Sequence, residues 1–246
     1  MAKSIVVFCL FTITAFGQVP ELTPLDKRLS IHTLVREDIF AGILTNDTDR
    51  LSRGEKNVDL LLTERPKAKA PLLSWKGDIA LYRSVVAYEG KRDAEFELQY
   101  RQALELFSEA NRLADPGDLG VAAVSGAGLL LFGDRLPERY RAAAYAAAYD
   151  AYNAMWKVQS GAVDKMPLHS KGELLAGLAQ SAQRTGRAEE SSRYLDQILA
   201  SLPGTPYESR AKAWKARPEM AGRSSLNCQT CHEGGRLAAR TAALAK

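Results

Sequence analysis

The sequence predicts an all-α fold, a short row of helical hairpins followed by a small C-terminal segment of different composition. Three observations carry this. From about residue 30 to 217, Ala, Leu, Glu, Arg and Lys dominate and β-branched residues are scarce, which favours helix over strand. Helix-ending residues recur at short breaks: Arg65-Pro66, Glu89-Gly90-Lys91, Asp115-Pro116-Gly117, Gly133-Asp134, Met166-Pro167, Thr185-Gly186-Arg187 and Leu202-Pro203-Gly204. Between the breaks, apolar residues return at steps of three and four, the period of a helix with one buried face.

The chain opens on Lys3 and an apolar run, residues 5–16, too short to span a bilayer. Ala15-Phe16-Gly17 places small residues at the −3 and −1 positions of a cleavage point before Gln18. Residues 1–17 therefore read as a secretory signal, with an uncleaved anchor as the alternative. A lipid-modified Cys9 fits less well, because Val6-Val7-Phe8 stands where small residues are needed. Residues 18–217 are the expected helical domain and 218–246 the tail.

The first hairpin is expected over residues 33–66, turning at Asn46-Asp47. Residues 71–116 read as a second with a longer second helix. There Phe96, Tyr100, Ala103, Phe107, Ala110 and Ala114 form an apolar seam. Residues 118–167 give a third. Its first helix, residues 119–132, is rich in Gly and Ala and suited to close packing. Its second has Pro137 at the first helical position and sets Tyr145, Tyr149, Tyr152 and Trp156 on one stripe. Aromatics at that spacing read as core, with a groove lining for a peptide or a cofactor face as the alternative.

The fourth hairpin, residues 170–203, is the clearest. Leu174, Leu175, Leu178, Ala179 and Ala182 stripe its first helix, and Thr185-Gly186-Arg187 makes the turn. Ala188, Ser191, Leu195, Ile198, Leu199 and Leu202 stripe its second. This unit of about 34 residues resembles a tetratricopeptide repeat. Gly177 stands where that repeat takes a small residue for close helix contact, whereas the consensus Trp and Tyr of its first helix are absent. The resemblance implies a short TPR-like helical-hairpin solenoid whose surface docks a protein partner.

After Pro218 the composition changes. Gly222-Arg223-Ser224-Ser225 reads as a turn, Ser225 or Asn227 as a helix cap, and residues 236–245 as a last helix. Between them stands Cys228-Gln229-Thr230-Cys231-His232. C-x-x-C-H is the spacing that attaches a c-type haem. Two thiols about one helical turn apart reach the two vinyl groups of one porphyrin, and the histidine after them reaches the iron. Cys228 and Cys231 then form the thioethers, and His232 is the proximal axial ligand of one covalent haem c. Cys9 falls in the signal segment, so the mature chain has no cysteine outside the motif. A disulfide, a redox dithiol and a zinc site compete. The dithiol wants a strand–helix context. Zinc wants four ligands, the fourth here coming from His169 or His32.

Only 29 residues run from Pro218 to Lys246, and no methionine or histidine follows the motif. The haem must lean on the helices, on a second copy of the chain or on a partner. Met220 and His169 are the leading candidates for the sixth iron ligand, followed by His32 and Met166. An open iron or a ligand from another chain is the remaining option. Methionine ligation raises the reduction potential relative to bis-histidine. Trp214 is a candidate to pack on the porphyrin, and Arg223 or Arg236 to pair with propionates. Trp214, Arg217, Arg223 and Arg236 read first as ordinary packing or surface residues.

The whole resembles a tetratricopeptide-repeat protein with a monohaem c-type cytochrome tail, which implies an exported haem protein handling electrons. Cytochromes of the c-prime type also carry the motif near the C-terminus, typically with five-coordinate iron, but this chain is longer and its turns suit repeats better. The formal charge of +4 is mild and its charges are interspersed, which argues against nucleic-acid binding. No apolar run beyond the signal is long enough to cross a membrane, so the chain is expected in the periplasm or outside the cell. No Ser-His-Asp pattern, phosphate-binding glycine loop or second haem motif points to an enzyme. Electron transfer in a cell-envelope redox complex is the leading expectation. The alternative is an interaction scaffold whose haem, or C-x-x-C site, is structural or sensory. Haem peroxidase or gas-binding activity would require an open iron site.

Overall fold

Glycine, proline and short polar side chains stop the helices where the sequence places them. The computed structural model describes residues 30–115 and 118–218. These form nine α-helices and, among the described residues, no strand. In order they are α1 (Ile31–Thr45), α2 (Thr48–Glu64), α3 (Lys69–Glu89), α4 (Asp93–Leu113), α5 (Gly120–Gly133), α6 (Glu138–Gln159), α7 (Leu168–Arg184), α8 (Ala188–Ser201) and α9 (Pro206–Ala216). Short 3-10 turns, Pro66–Ala68 and Ser160–Lys165, follow α2 and α6. Six of the seven expected breaks fall at helix ends, and Pro116-Gly117 of the seventh lie outside the described residues.

Successive helices pair as hairpins, α1 with α2, α3 with α4, α5 with α6 and α7 with α8, and α9 rests on α8. The first helices also touch in sequence, α1 on α3, α3 on α5 and α5 on α7, and α6 leans on α7. At the first turn Asn46 takes a left-handed φ of 54°, and Asp47 caps α2 by accepting from the Arg50 amide at 2.9 Å. Gly186, at φ 76°, closes α7, and the Arg187 amide returns to the Ala182 carbonyl at 2.9 Å. Thr205 caps α9 and Pro206 opens it, a helix that the apolar pattern alone does not announce. Pro137 stands at the N-cap of α6, one residue before the expected position, with an extended ψ of 142°.

One core cluster runs from Ile31 to Trp214. The α4 seam is buried from Phe96 to Ala110, and all five stripe residues of α7 are buried. In α8, Ser191, Leu195 and Ile198 are buried together with Tyr194, which the stripe omits, whereas Ala188 is exposed at the helix start. Of the α6 aromatics, Tyr145 and Tyr152 are core; Tyr149 and Trp156 are only half-buried. Trp214 is 3% exposed. It is committed to the core and has no free face for a porphyrin.

Helices approach closely through glycine–aromatic sockets. A Cβ on Gly77 of α3 would stand 2.6 Å from the Phe107 ring of α4. A Cβ on Gly177 of α7 would overlap the Tyr152 ring of α6. The small residue expected at 177 is thus required by an aromatic from the preceding hairpin.

No described helix is long and apolar enough to cross a membrane. The proposed signal (residues 1–17), Cys9, Met220, Arg223, Cys228, Cys231, His232 and Arg236 lie outside the described residues.

Candidate functional site

The first helices of the hairpins, joined by α6, leave a half-open pocket of about 390 Å³, within the usual size of small-molecule and cofactor sites. Phe40, Trp75, Val124, Ala127, Tyr152 and Leu174 are among its apolar lining. His32, Arg36, His169 and Glu173 supply polar and charged groups, and Met166 also lines it. Three of the four candidate sixth ligands, His32, Met166 and His169, therefore converge from opposite ends of the helical array.

His32 is the second residue of α1 and is half-buried. Its Nδ1 accepts from the Trp75 indole N–H at 3.0 Å. Indole can only donate, so in the neutral ring the proton sits on Nε2. Burial, the largest influence, holds His32 below its ordinary pKa; the Asp118 carboxylate opposes this and the Arg36 guanidinium reinforces it. A Cβ on Gly120 would overlap the His32 ring, so glycine at the start of α5 makes room for it. His32 is a neutral hydrogen-bond donor with its one ring lone pair already used.

His169 is the second residue of α7 and is exposed. Its Nδ1 lies 3.5 Å from the Tyr207 hydroxyl of α9, a long contact. Tyr207 donates its proton to Glu173 at 2.5 Å. With its proton given to Glu173, the phenolic oxygen can only accept from His169, which favours the tautomer with the proton on Nδ1 and the lone pair on Nε2. The Tyr207 ring rests on Gly172 with no room for a Cβ there, which ties α9 to α7 at this point. A histidine whose far nitrogen is oriented by a hydroxyl–carboxylate chain has the outer-shell support typical of a metal ligand.

No protein-family model, curated protein or solved structure matches this chain. The chemistry of the lining is therefore the guide.

A haem requires apolar walls for its ring, a lone pair for iron, and donors or a cation for its propionates. The pocket offers all three kinds of group: its apolar lining, His169 Nε2, and Arg36 with the His32 N–H. Among the described residues no group of three or more His, Cys, Asp or Glu side chains is placed to hold a bare metal ion. A macrocycle brings nitrogens of its own and asks the wall for only one.

The motif's spacing points to haem, but it does not reveal Trp75, Arg36, Tyr207 or Glu173, which set the histidines' chemistry. Trp75, Tyr207 and Glu173 each act on a residue distant in the chain, whereas Arg36 stands one helical turn from His32 on α1. Of the distant three, only Tyr207, directly after a helix-opening proline, leaves even a positional hint.

One turn after Trp75, Asp78 is fully buried and neither carboxyl oxygen has a hydrogen-bond partner. A Cβ on Gly128 of α5 would overlap this carboxyl. Burial raises the Asp78 pKa well above the usual carboxylate range, which favours the neutral acid.

Proposed function

We propose that this chain is an exported c-type haem protein that transfers electrons in a cell-envelope redox complex. Its hairpins form a TPR-like array that docks a redox partner. The observation that carries the reading is Cys228-Gln229-Thr230-Cys231-His232, with no cysteine elsewhere beyond the signal segment. Cys228 and Cys231 anchor the group and His232 gives the first axial nitrogen. When bound, haem supplies a one-electron iron couple. The helices contribute an apolar wall that excludes water, and a histidine with an available lone pair. Expression with a c-type maturation system, followed by a pyridine haemochrome assay, tests the reading. One covalent haem per chain is expected, lost in the Cys228→Ala/Cys231→Ala variant. Correctly exported, folded protein without haem would remove it.

A further inference from the structure

We propose that the pocket between α1, α3, α5, α6 and α7 is the seat of the chain's own haem-bearing tail, residues 219–246, and that His169 Nε2 is the sixth iron ligand. This rests on the haem reading above and narrows its candidate ligands to one.

Hydrogen bonding makes the choice. Both histidines line the pocket, but Trp75 occupies the His32 lone pair. His32 would have to break that bond and shift its proton before it could bind iron. His169 needs no such change. The Tyr207 hydroxyl, turned acceptor by Glu173, favours the tautomer that leaves Nε2 open. Met166 lines the pocket too, but nothing comparable orients it.

Tether length permits this occupant. Tyr207, which contacts His169, lies on α9, and the helix rises about 14 Å from there to Ala216. The chain from Ala216 to Cys228 extends up to about 40 Å, enough to return to the pocket from either end of α9. The two most exposed large apolar side chains among the described residues, Val158 at 62% and Leu168 at 56%, directly precede the lining residues Gln159 and His169. Arg36 in the lining adds a positive charge for a propionate.

The test compares matured wild type with His169→Ala, His32→Ala and Tyr207→Phe by visible and EPR spectroscopy. Wild type should be low-spin with bis-histidine EPR. His169→Ala should become high-spin and recover the low-spin spectrum on adding imidazole. His32→Ala should stay low-spin. Tyr207→Phe should stay low-spin, with cyanide displacing the ligand roughly tenfold more readily. Circular dichroism confirms that each variant is folded.

A covalent haem that remains low-spin in His169→Ala, or is already high-spin in wild type, overturns the ligand assignment and leaves the haem reading intact. No covalent haem in wild type defeats the haem reading itself. A low-spin spectrum that is lost on dilution would mean a second copy's tail fills the pocket, and overturns the intramolecular seat.

Discussion

His32 and His169 are each the second residue of the first helix in a hairpin, yet the walls on which they stand are built differently. The His32 wall is core. Trp75 behind it is 1% exposed, and Phe40 meets Trp75 edge-on at 5.0 Å. His169 is itself exposed, held by Tyr207, which is buried, and by the half-buried Glu173. The buried wall meets its histidine with a group that can only donate. The other meets its exposed histidine with a hydroxyl whose proton is already given away. The neighbours at these equivalent positions thus favour opposite tautomers, Trp75 for His32 and the Tyr207–Glu173 pair for His169.

Substitutions can break this contrast in graded ways. The largest effect is expected where both walls share a support. Tyr152 lines the pocket and fills the socket at Gly177. Gly177→Val should cost about 3 kcal/mol through overpacking, read by urea denaturation. An unchanged midpoint would show that the socket is not as tight as described.

Asp78→Asn probes the His32 wall alone, through pH. The folded pKa of Asp78 is raised by burial, so the folded chain retains a proton that the unfolded chain releases near pH 4. This contribution to stability is fully present below that pH and is lost as pH rises toward the folded pKa, by about 1.4 kcal/mol for each pH unit in between. The variant should lack that loss, so its stability relative to wild type should climb with pH. Parallel stability–pH curves for the two proteins would exclude an ionising Asp78.

Trp75→Phe removes the donor to His32 and should cost about 1.5 kcal/mol. Its sharper readout is imidazole nitrogen NMR on the haem-free Cys228→Ala/Cys231→Ala chain. There His32 should carry its proton on Nε2 and His169 on Nδ1, and only His32 should change when Trp75 is replaced. The same tautomer on both rings would dissolve the comparison.

The smallest effect is expected at Lys215, which pairs with Asp196 across α8 and α9 at the surface. Lys215→Ala should change stability by less than about 1 kcal/mol and leave His169 unaffected, since Tyr207 is held by its own contacts with Gly172 and Glu173.

Much of the fold was legible because its signals are local. Pro66, Gly90, Gly133, Pro167 and Gly186 each act on the residues beside them, and the α4 and α7 stripes follow from the period of a single helix. Pro137 was misplaced by one residue, since proline suits both the N-cap and the position after it. The exposed Ala188 shows the limit of a stripe at a helix start, where no preceding turn covers it. The pocket was not legible. His32 and Trp75 lie on different hairpins, and the proton on His169 depends on a hydroxyl from α9. Sequence spacing carries neither relation. The candidate ligands could be named one by one, but their convergence could not.

The pocket takes its lining from every hairpin, from α1 at one end to α7 at the other. Repeat arrays ordinarily lengthen or shorten without harm, because each unit depends only on its neighbours. Here a hairpin inserted between α1 and α7 would carry His32 and His169 apart, and one removed from between them would take away a wall. The number of hairpins between the two histidines is itself part of the pocket's specification, and natural variation in this architecture should appear in loops and outer helices, not in that number.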